Sequence, residues 1–176
     1  MICGNSGVGK TALFNLAHKK RMSLDNLQVT MNATFAQVKV QINDPSVDDP
    51  FIDLKLDIKL QLWDTVGNEK FFNVTRNAYV GADAVVIVFD ITHAESLTDT
   101  LGWAARVREI VPEHCKVILA GNKSDLLEQR EVPTHMAENF AQENKFDHFC
   151  ETSALERHGV DELFDYVAEA VYTSSL

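Results

Sequence analysis

Positive charge is in short supply in this sequence: Lys and Arg number 16 against 26 Asp and Glu, a formal net charge of −10. A polyphosphate partner needs a cationic footprint, so a nucleic-acid surface is excluded. Direct adsorption to anionic lipid is disfavoured for the same reason. The one compact basic run, Lys19-Lys20-Arg21, reads as a solvated helix end. Cysteine is sparse as well. Cys3, Cys115 and Cys150 are odd in number, far apart and without a CxxC pair, so they read as reduced thiols in a reducing compartment. The 6 histidines show no HxxxH or HExxH spacing, which argues against zinc. No apolar run approaches the roughly 20 residues that span a bilayer. The first residues lack the charged and apolar regions of a signal peptide. No repeat or low-complexity tract is present. The 176 residues, 45% hydrophobic and 24% charged, suffice for one well-buried domain over 1–176 and are short for two. A cytoplasmic location is expected.

Hydrophobic period supplies the organisation. From Leu54 the chain alternates strictly, Leu54, Leu56, Ile58, Leu60 and Leu62 against Lys55, Asp57, Lys59 and Gln61. That is a strand with one buried and one wet face. Val38, Val40 and Ile42 alternate likewise, and two such neighbours pair antiparallel at a sheet edge. The connection Asn43 to Asp53 is long for a hairpin. Two other runs, Ala84 to Phe89 and Val117 to Ala120, are apolar throughout, as in parallel strands covered on both faces. A weaker strand is expected from about Phe146 to Cys150. Helical stripes alternate with these strands: Leu97, Leu101, Ala104 and Val111 form one, and Val160, Leu163, Phe164, Val167 and Val171 another. Pro133 suits the first turn of a helix carrying Ala137, Phe140 and Ala141. The alternation means an α/β fold with a mostly parallel sheet.

Residues 4 to 11 read GNSGVGKT, a full G-x-x-x-x-G-K-[ST] match. Gly4, Gly7 and Gly9 permit backbone angles that turn successive N–H groups inward, forming an anion-binding concavity. The following helix adds its positive end. Asn5, Ser6, Gly7, Val8, Gly9, Lys10, Thr11 and Ala12 are the expected phosphate-cradling positions. Lys10 supplies a point charge to β- and γ-phosphates, and the Thr11 hydroxyl can ligate Mg²⁺. The competing explanation is a chance match, which the apolar helix beginning Leu13-Phe14 disfavours. A phosphate loop follows a strand, yet Met1-Ile2-Cys3 make a poor central one. The first strand is therefore expected to be truncated, with the natural chain starting further upstream.

A phosphate loop alone does not separate ATP from GTP. Asn122-Lys123-Ser124-Asp125 does, because it follows the buried strand ending at Ala120-Gly121. The Asp125 carboxylate only accepts hydrogen bonds, and guanine presents two adjacent donors on one edge. Adenine would leave that carboxylate unsatisfied. The Lys123 stem can lie along the base plane while Asn122 ties loops together. Ser153 and Ala154 follow the last strand, where a small residue lets a backbone N–H approach the guanine carbonyl. Taken alone the tetrapeptide could be an ordinary polar turn. Asp64-Thr65-Val66-Gly67 follows the alternating strand. Asp64 is suited to hold Mg²⁺, commonly through water, and the unobstructed Gly67 N–H can meet a γ-phosphate.

LQLWDTVGNEKF, from Leu60 to Phe71, resembles the WDTAGQE region of Rab-type small GTPases of the Ras superfamily. FDIT at Phe89 to Thr92, GNKSDL at Gly121 to Leu126 and ETSAL at Glu151 to Leu155 are similar to further markers of that family. The resemblance implies a P-loop NTPase fold with six strands, one antiparallel edge strand and helices on both faces. It implies bound GTP or GDP with Mg²⁺, a base pocket extending to Leu126 and Leu155, and a monomer. Thr30 is implied as the threonine that closes on Mg²⁺ and the γ-phosphate, because TMNATF is similar to the family's T-I-G-x-x-F. Thr34 competes locally, and spacing favours Thr30. Two loops, about 22–35 and 67–79, would differ between nucleotide states. Effectors, exchange factors and GTPase-activating proteins would read them, with Phe35 and Trp63 serving as contact or as plain packing.

Departures from the family qualify this expectation. Asn68 stands where the family carries the glutamine that orients the attacking water, a role that phosphoryl transfer in Ras illustrates. Asparagine is one methylene shorter, on the order of 1 Å of reach, and such a displacement can cost roughly 100-fold in rate. Val66 replaces the usual alanine. The catalytic set is thus Lys10, Gly67 and Asn68, with hydrolysis expected to be slow. No aromatic lies between His18 and Thr30, and Asn32 replaces the glycine of T-I-G. The sequence ends without C-terminal cysteines for prenylation, so the cytosolic face of endomembranes would be reached only through a lipidated tail not present here. Two functions remain: a cycling GTPase in vesicle traffic, or a GTP-locked interaction module. An ATP-dependent P-loop kinase would require loss of the guanine reader.

Overall fold

The computed structural model describes residues 1–18, 34–45, 54–65 and 72–175. One six-stranded sheet is built from β1 (Ile2–Cys3), β2 (Thr34–Asn43), β3 (Lys55–Asp64), β4 (Ala84–Asp90), β5 (Lys116–Asn122) and β6 (His148–Thr152), in the order β2-β3-β1-β4-β5-β6. Only β2 runs antiparallel to its neighbour, pairing with β3 from Thr34↔Asp64 to Asn43↔Lys55. All other pairings are parallel. The α/β fold with one antiparallel edge strand is therefore as the periodicity and the family resemblance implied.

The apolar run of β4 explains its central place. Val86 and Val88 join one core with α1 (Lys10–Ala17) and α5 (Val160–Ser174). Val85, Ile87 and Phe89 point the other way, into a second core with α2 (Phe72–Tyr79), α3 (Ala94–Arg108) and α4 (Thr134–Glu143). A strand covered on both faces has no use for alternation. Each fully buried Ile or Leu here contributes roughly 1.5–3 kcal/mol relative to exposure.

Several boundaries differ from the pattern reading. Leu54 lies just before β3 and is 49% exposed, while burial deepens toward Leu60 and Leu62. The β2 side of the same end stays buried, with Ile42 5% exposed, so the exposure is confined to the start of β3. On α3 the buried stripe is Leu97, Thr100, Trp103, Ala104 and Val107, so Leu101 sits on its rim and Val111 lies beyond the helix. Pro133 occupies the position before α4 instead of its first turn, with φ −62° and extended ψ. The last strand begins at His148, two residues later than Phe146.

β1 lies between β3 and β4, with Ile2 opposite Asp64 and Val86, and Cys3 opposite Ile87. This arrangement brings Asp64, Asp90, Asn122 and Thr152, the last residues of four parallel strands, to the same edge of the sheet. In open α/β sheets ligands bind outside those carboxyl ends.

Candidate nucleotide site

The phosphate loop runs from Gly4 to Gly9 between β1 and α1. Gly9 adopts φ +100° as the residue preceding α1, and a Cβ there would lie 2.1 Å from Asn122 Nδ2. Only glycine allows that approach. Gly7, at φ +81°, has nothing within 4 Å of where a Cβ would point, and Ser6 beside it is exposed. The turn stands at the N-terminus of α1, a position that favours an anion. Val8 and Ala12 are buried and anchor the turn to the core. The Asn5 side chain faces α3, so its contribution to the cradle is its backbone.

Lys10 is only 5% exposed, and its Nζ donates to Asn5 O at 2.6 Å. Burial pushes its ammonium below the ordinary lysine pKa, against the opposing pull of Asp64 and Cys3. A phosphate would reverse that shift. Thr11 Oγ1 donates to Asp64 Oδ2 at 2.6 Å, and Asp64 is fully buried. Two hard oxygens from different elements, close to the loop, are a donor set suited to Mg²⁺, which keeps water and takes phosphate oxygens for its other positions. Thr65 fixes the end of β3: its N–H and Oγ1 both donate to Ile2 O, at 3.3 and 2.9 Å. Tyr79 Oη reaches Thr65 Oγ1 at 3.4 Å from a buried position.

The Asn122–Asp125 segment is held by hydrogen bonds to both side chains and backbone. Asn122 Nδ2 donates to Val8 O at 2.9 Å, and Thr152 Oγ1 donates to Asn122 Oδ1 at 3.1 Å. Asn122 thereby joins the phosphate loop to β6. Ser153 Oγ donates to Asp125 Oδ1 at 2.5 Å, fixing the carboxylate while leaving Asp125 partly exposed. Lys123 turns at φ +68°, strained for a residue with a side chain, and Ser124 N–H donates to Thr152 O at 3.1 Å. Leu126 and Ala154 are partly buried beside this corner, and Leu155 is 57% exposed at its rim. Asn5, Ser6, Gly7, Val8, Gly9, Lys10, Thr11, Ala12, Asp64, Asn122, Lys123, Asp125, Leu126, Ser153, Ala154 and Leu155 thus gather at one edge of the sheet.

Thr30, Val66, Gly67, Asn68 and the Lys19–Arg21 run lie outside the described residues. Of the two expected loops, 22–33 and 67–71 lie outside as well. What is described of them is regular structure: Thr34 and Phe35 begin β2, and Phe72–Tyr79 is α2. Thr34 is opposite Asp64 in the β2–β3 ladder, committed to the sheet. Phe35 is 46% exposed, and its ring lies 5.0 Å from that of Trp63, which is half-buried against the second core.

A sequence model of the Ras family matches residues 1–173. The chain belongs to the Ras family. Its relatives are Rab-type proteins: "Ras-related protein Rab-11B" of Dictyostelium discoideum is 36% identical over 174 residues, 99% of this chain and 73% of that protein. "Ras-related protein Rab-4A" of Danio rerio is 36% identical over 171 residues, 97% of this chain and 74% of that protein. "GTP-binding protein ypt4" of Schizosaccharomyces pombe is 34% identical over 173 residues, 98% of this chain and 70% of that protein.

The geometry of this Ras-family chain also gives a role to a residue of the FDIT marker that the motif alone left without one. Asp90, at the end of β4, sits 2.5 Å from Lys123 Nζ through Oδ2 and accepts from Thr92 N–H and Oγ1 at 2.9 and 2.7 Å through Oδ1. Burial pushes its carboxyl up, but the Lys123 and Thr92 bonds outweigh it and hold the pKa below the usual carboxylate range. Asp90 positions Lys123. The available signal was an aspartate closing an otherwise apolar strand, a costly placement without a partner.

Proposed function

We propose that the chain is a Rab-type guanine-nucleotide switch, one G domain over 1–176, that binds GTP or GDP with Mg²⁺ and hydrolyses GTP slowly. The observation that carries the reading is Asp125, an acceptor-only carboxylate held by Ser153 at 2.5 Å on the corner that Asn122 ties to the phosphate loop. Guanine satisfies that carboxylate with two donors and adenine does not.

In this reading the loop N–H groups from Asn5 to Ala12 and the Lys10 ammonium cradle the phosphates, and Lys123 lies along the base. Ser153, Ala154 and Leu155 close the pocket on one side and Leu126 on the other. Thr11, Thr30 and Asp64 would hold Mg²⁺, which supplies charge neutralisation at the β- and γ-phosphate oxygens. Gly67 N–H would meet the γ-phosphate and Asn68 would orient the attacking water. Water oxygen then bonds to the γ-phosphorus as the bond to the bridging β–γ oxygen breaks, giving GDP and phosphate. Lys10 neutralises charge that accumulates on that bridge.

The exposed Phe35, backed by the half-buried Trp63, suits effectors that read both nucleotide-sensitive segments, about 22–35 and 67–79, which exchange factors and GTPase-activating proteins would share. The Rab relationship supports a role in vesicle traffic, on the cytosolic face of endomembranes if a lipidated tail is present, and a monomer belongs to the same reading. Among the described residues no helix is long and apolar enough to cross a membrane.

Denaturing the purified protein and identifying the released nucleotide tests the binding claim: guanine nucleotide is expected, and adenine nucleotide would overturn it. Single-turnover GTP hydrolysis tests the rate claim. Asn68→Gln should accelerate it on the order of 100-fold if reach is limiting. No acceleration removes the reach argument. A wild-type rate that stays negligible with a GTPase-activating protein favours the second reading, the GTP-locked module, for which Asn68 and Val66 are the motivating residues.

A further inference from the structure

The first side chain of the phosphate loop is tied to a helix outside the site. Asn5 Nδ2 donates to Asp99 Oδ2 at 2.6 Å, and Asn5 Oδ1 accepts from Trp103 Nε1 at 2.9 Å. Asp99 and Trp103 are one turn apart on α3 and so present adjoining surface. Trp103 is 3% exposed and packs in the core with Ala104 and Val107, so its indole N–H is a fixed donor. From the other side, the carbonyl of Asn5 accepts from Lys10 Nζ at 2.6 Å. Three bonds of good length thus lead from α3 through Asn5 to the phosphate-binding lysine. None passes through the base corner or through either nucleotide-sensitive segment.

We propose that Asp99 and Trp103 are positioning residues that clamp the phosphate loop through Asn5 and so lengthen the residence of bound nucleotide. The proposal rests on the nucleotide-binding reading above. A loop with glycines at 4, 7 and 9 has large conformational freedom, and holding its first side chain removes part of the ordering cost from binding. Such preorganisation acts mainly on dissociation. The asparagine fits the task because its amide donates and accepts at once, one function for each α3 partner. Aspartate would still accept from Trp103 but would set a carboxylate against Asp99.

That conflict supplies the test. Release of a fluorescent GDP analogue is followed from the full chain, with thermal unfolding measured on the same samples. Asn5→Asp should speed release about 10-fold, the scale of a lost and opposed hydrogen bond. Adding Asp99→Asn in that background should restore slow release, because the amide introduced on α3 donates to the carboxylate now in the loop while Trp103 keeps its acceptor. Trp103→Phe, which keeps a ring but removes the donor, should also speed release. A general loss of stability would lower the unfolding temperature without rescue by the second change, and a simple repulsion of phosphate by the new carboxylate would persist in the double variant. Either result overturns the clamp, as does an Asn5→Asp release rate equal to wild type. Wild-type protein that binds no GDP would instead overturn the nucleotide reading, and the clamp with it.

Discussion

The two ends of the proposed nucleotide site are built by different means. The phosphate end uses backbone: glycines at positive φ, the N-terminus of α1 and one buried ammonium. The base end uses side chains, and each of them is held by another. Asp125 is fixed by Ser153, Asn122 by Thr152 and Val8, and Lys123 by Asp90. A phosphate is a compact charge that many N–H groups can share, so curvature suffices. A purine is told from another purine by one edge, so a misplaced side chain loses the distinction. Discrimination between bases should therefore rest on side chains at the second end and be indifferent to those at the first.

The largest effect expected from this contrast is a change of base. Asp125→Asn puts a donor where an acceptor stood but keeps an oxygen that can accept from Ser153 Oγ, so the corner should hold its shape. Affinity should move from guanine to xanthine nucleotides, with loss for GDP of roughly 10⁴-fold, the scale at which a site built for one hydrogen-bond pattern rejects another. Competition binding with GDP and XDP measures it. Unchanged GDP affinity would break the comparison at its stronger end.

At the phosphate end a single cation is open to test. Lys10→Met should weaken GTP binding by about 100-fold, as expected for loss of a charge-assisted bond, while leaving the preference for guanine over adenine intact. The pH dependence sharpens this. Burial lowers the Lys10 pKa in the free protein and bound phosphate would raise it. Affinity should then be full below the free-protein pKa and fall as pH rises from that value toward the bound one. In Lys10→Met that slope should vanish. Isothermal titration across alkaline pH reads both.

The same contrast explains what the sequence made legible. A backbone device has a linear signature, so Gly4, Gly7, Gly9, Lys10 and Thr11 stand together as one string. The strands were legible because period 2 in Val38–Ile42 and unbroken apolarity in Ala84–Phe89 report one and two covered faces. Supporting side chains come from other elements: Trp103 and Asp99 are over 90 residues from Asn5, and Asp90 over 30 from Lys123. Nothing local marks Trp103 or Asp99, and Asp90 shows only as a charge closing an apolar strand. Leu101 misled because an i, i+4 apolar match does not reveal where the centre of a buried stripe lies, and Thr100 and Trp103 placed it a turn's fraction away.

The smallest expected effect concerns Asp90, because it acts through another residue. Asp90→Asn keeps shape and the Thr92 bonds but removes the charge facing Lys123 Nζ. The lysine would be freer to leave the base plane, and GDP release should rise about 10-fold. In a Lys123→Met background the same change should do little, since the residue it positions is gone; additive effects would show that Asp90 works elsewhere. Acid gives an independent reading. The Asp90 carboxyl is held below the usual carboxylate range, so its support is complete above that range and is lost as pH falls through the lowered value. Release should therefore quicken at acid pH in wild type, and this component of the pH profile should be missing in Asp90→Asn. If both proteins quicken alike, Lys123 keeps its place without Asp90, and the base end is less dependent on paired side chains than its geometry suggests.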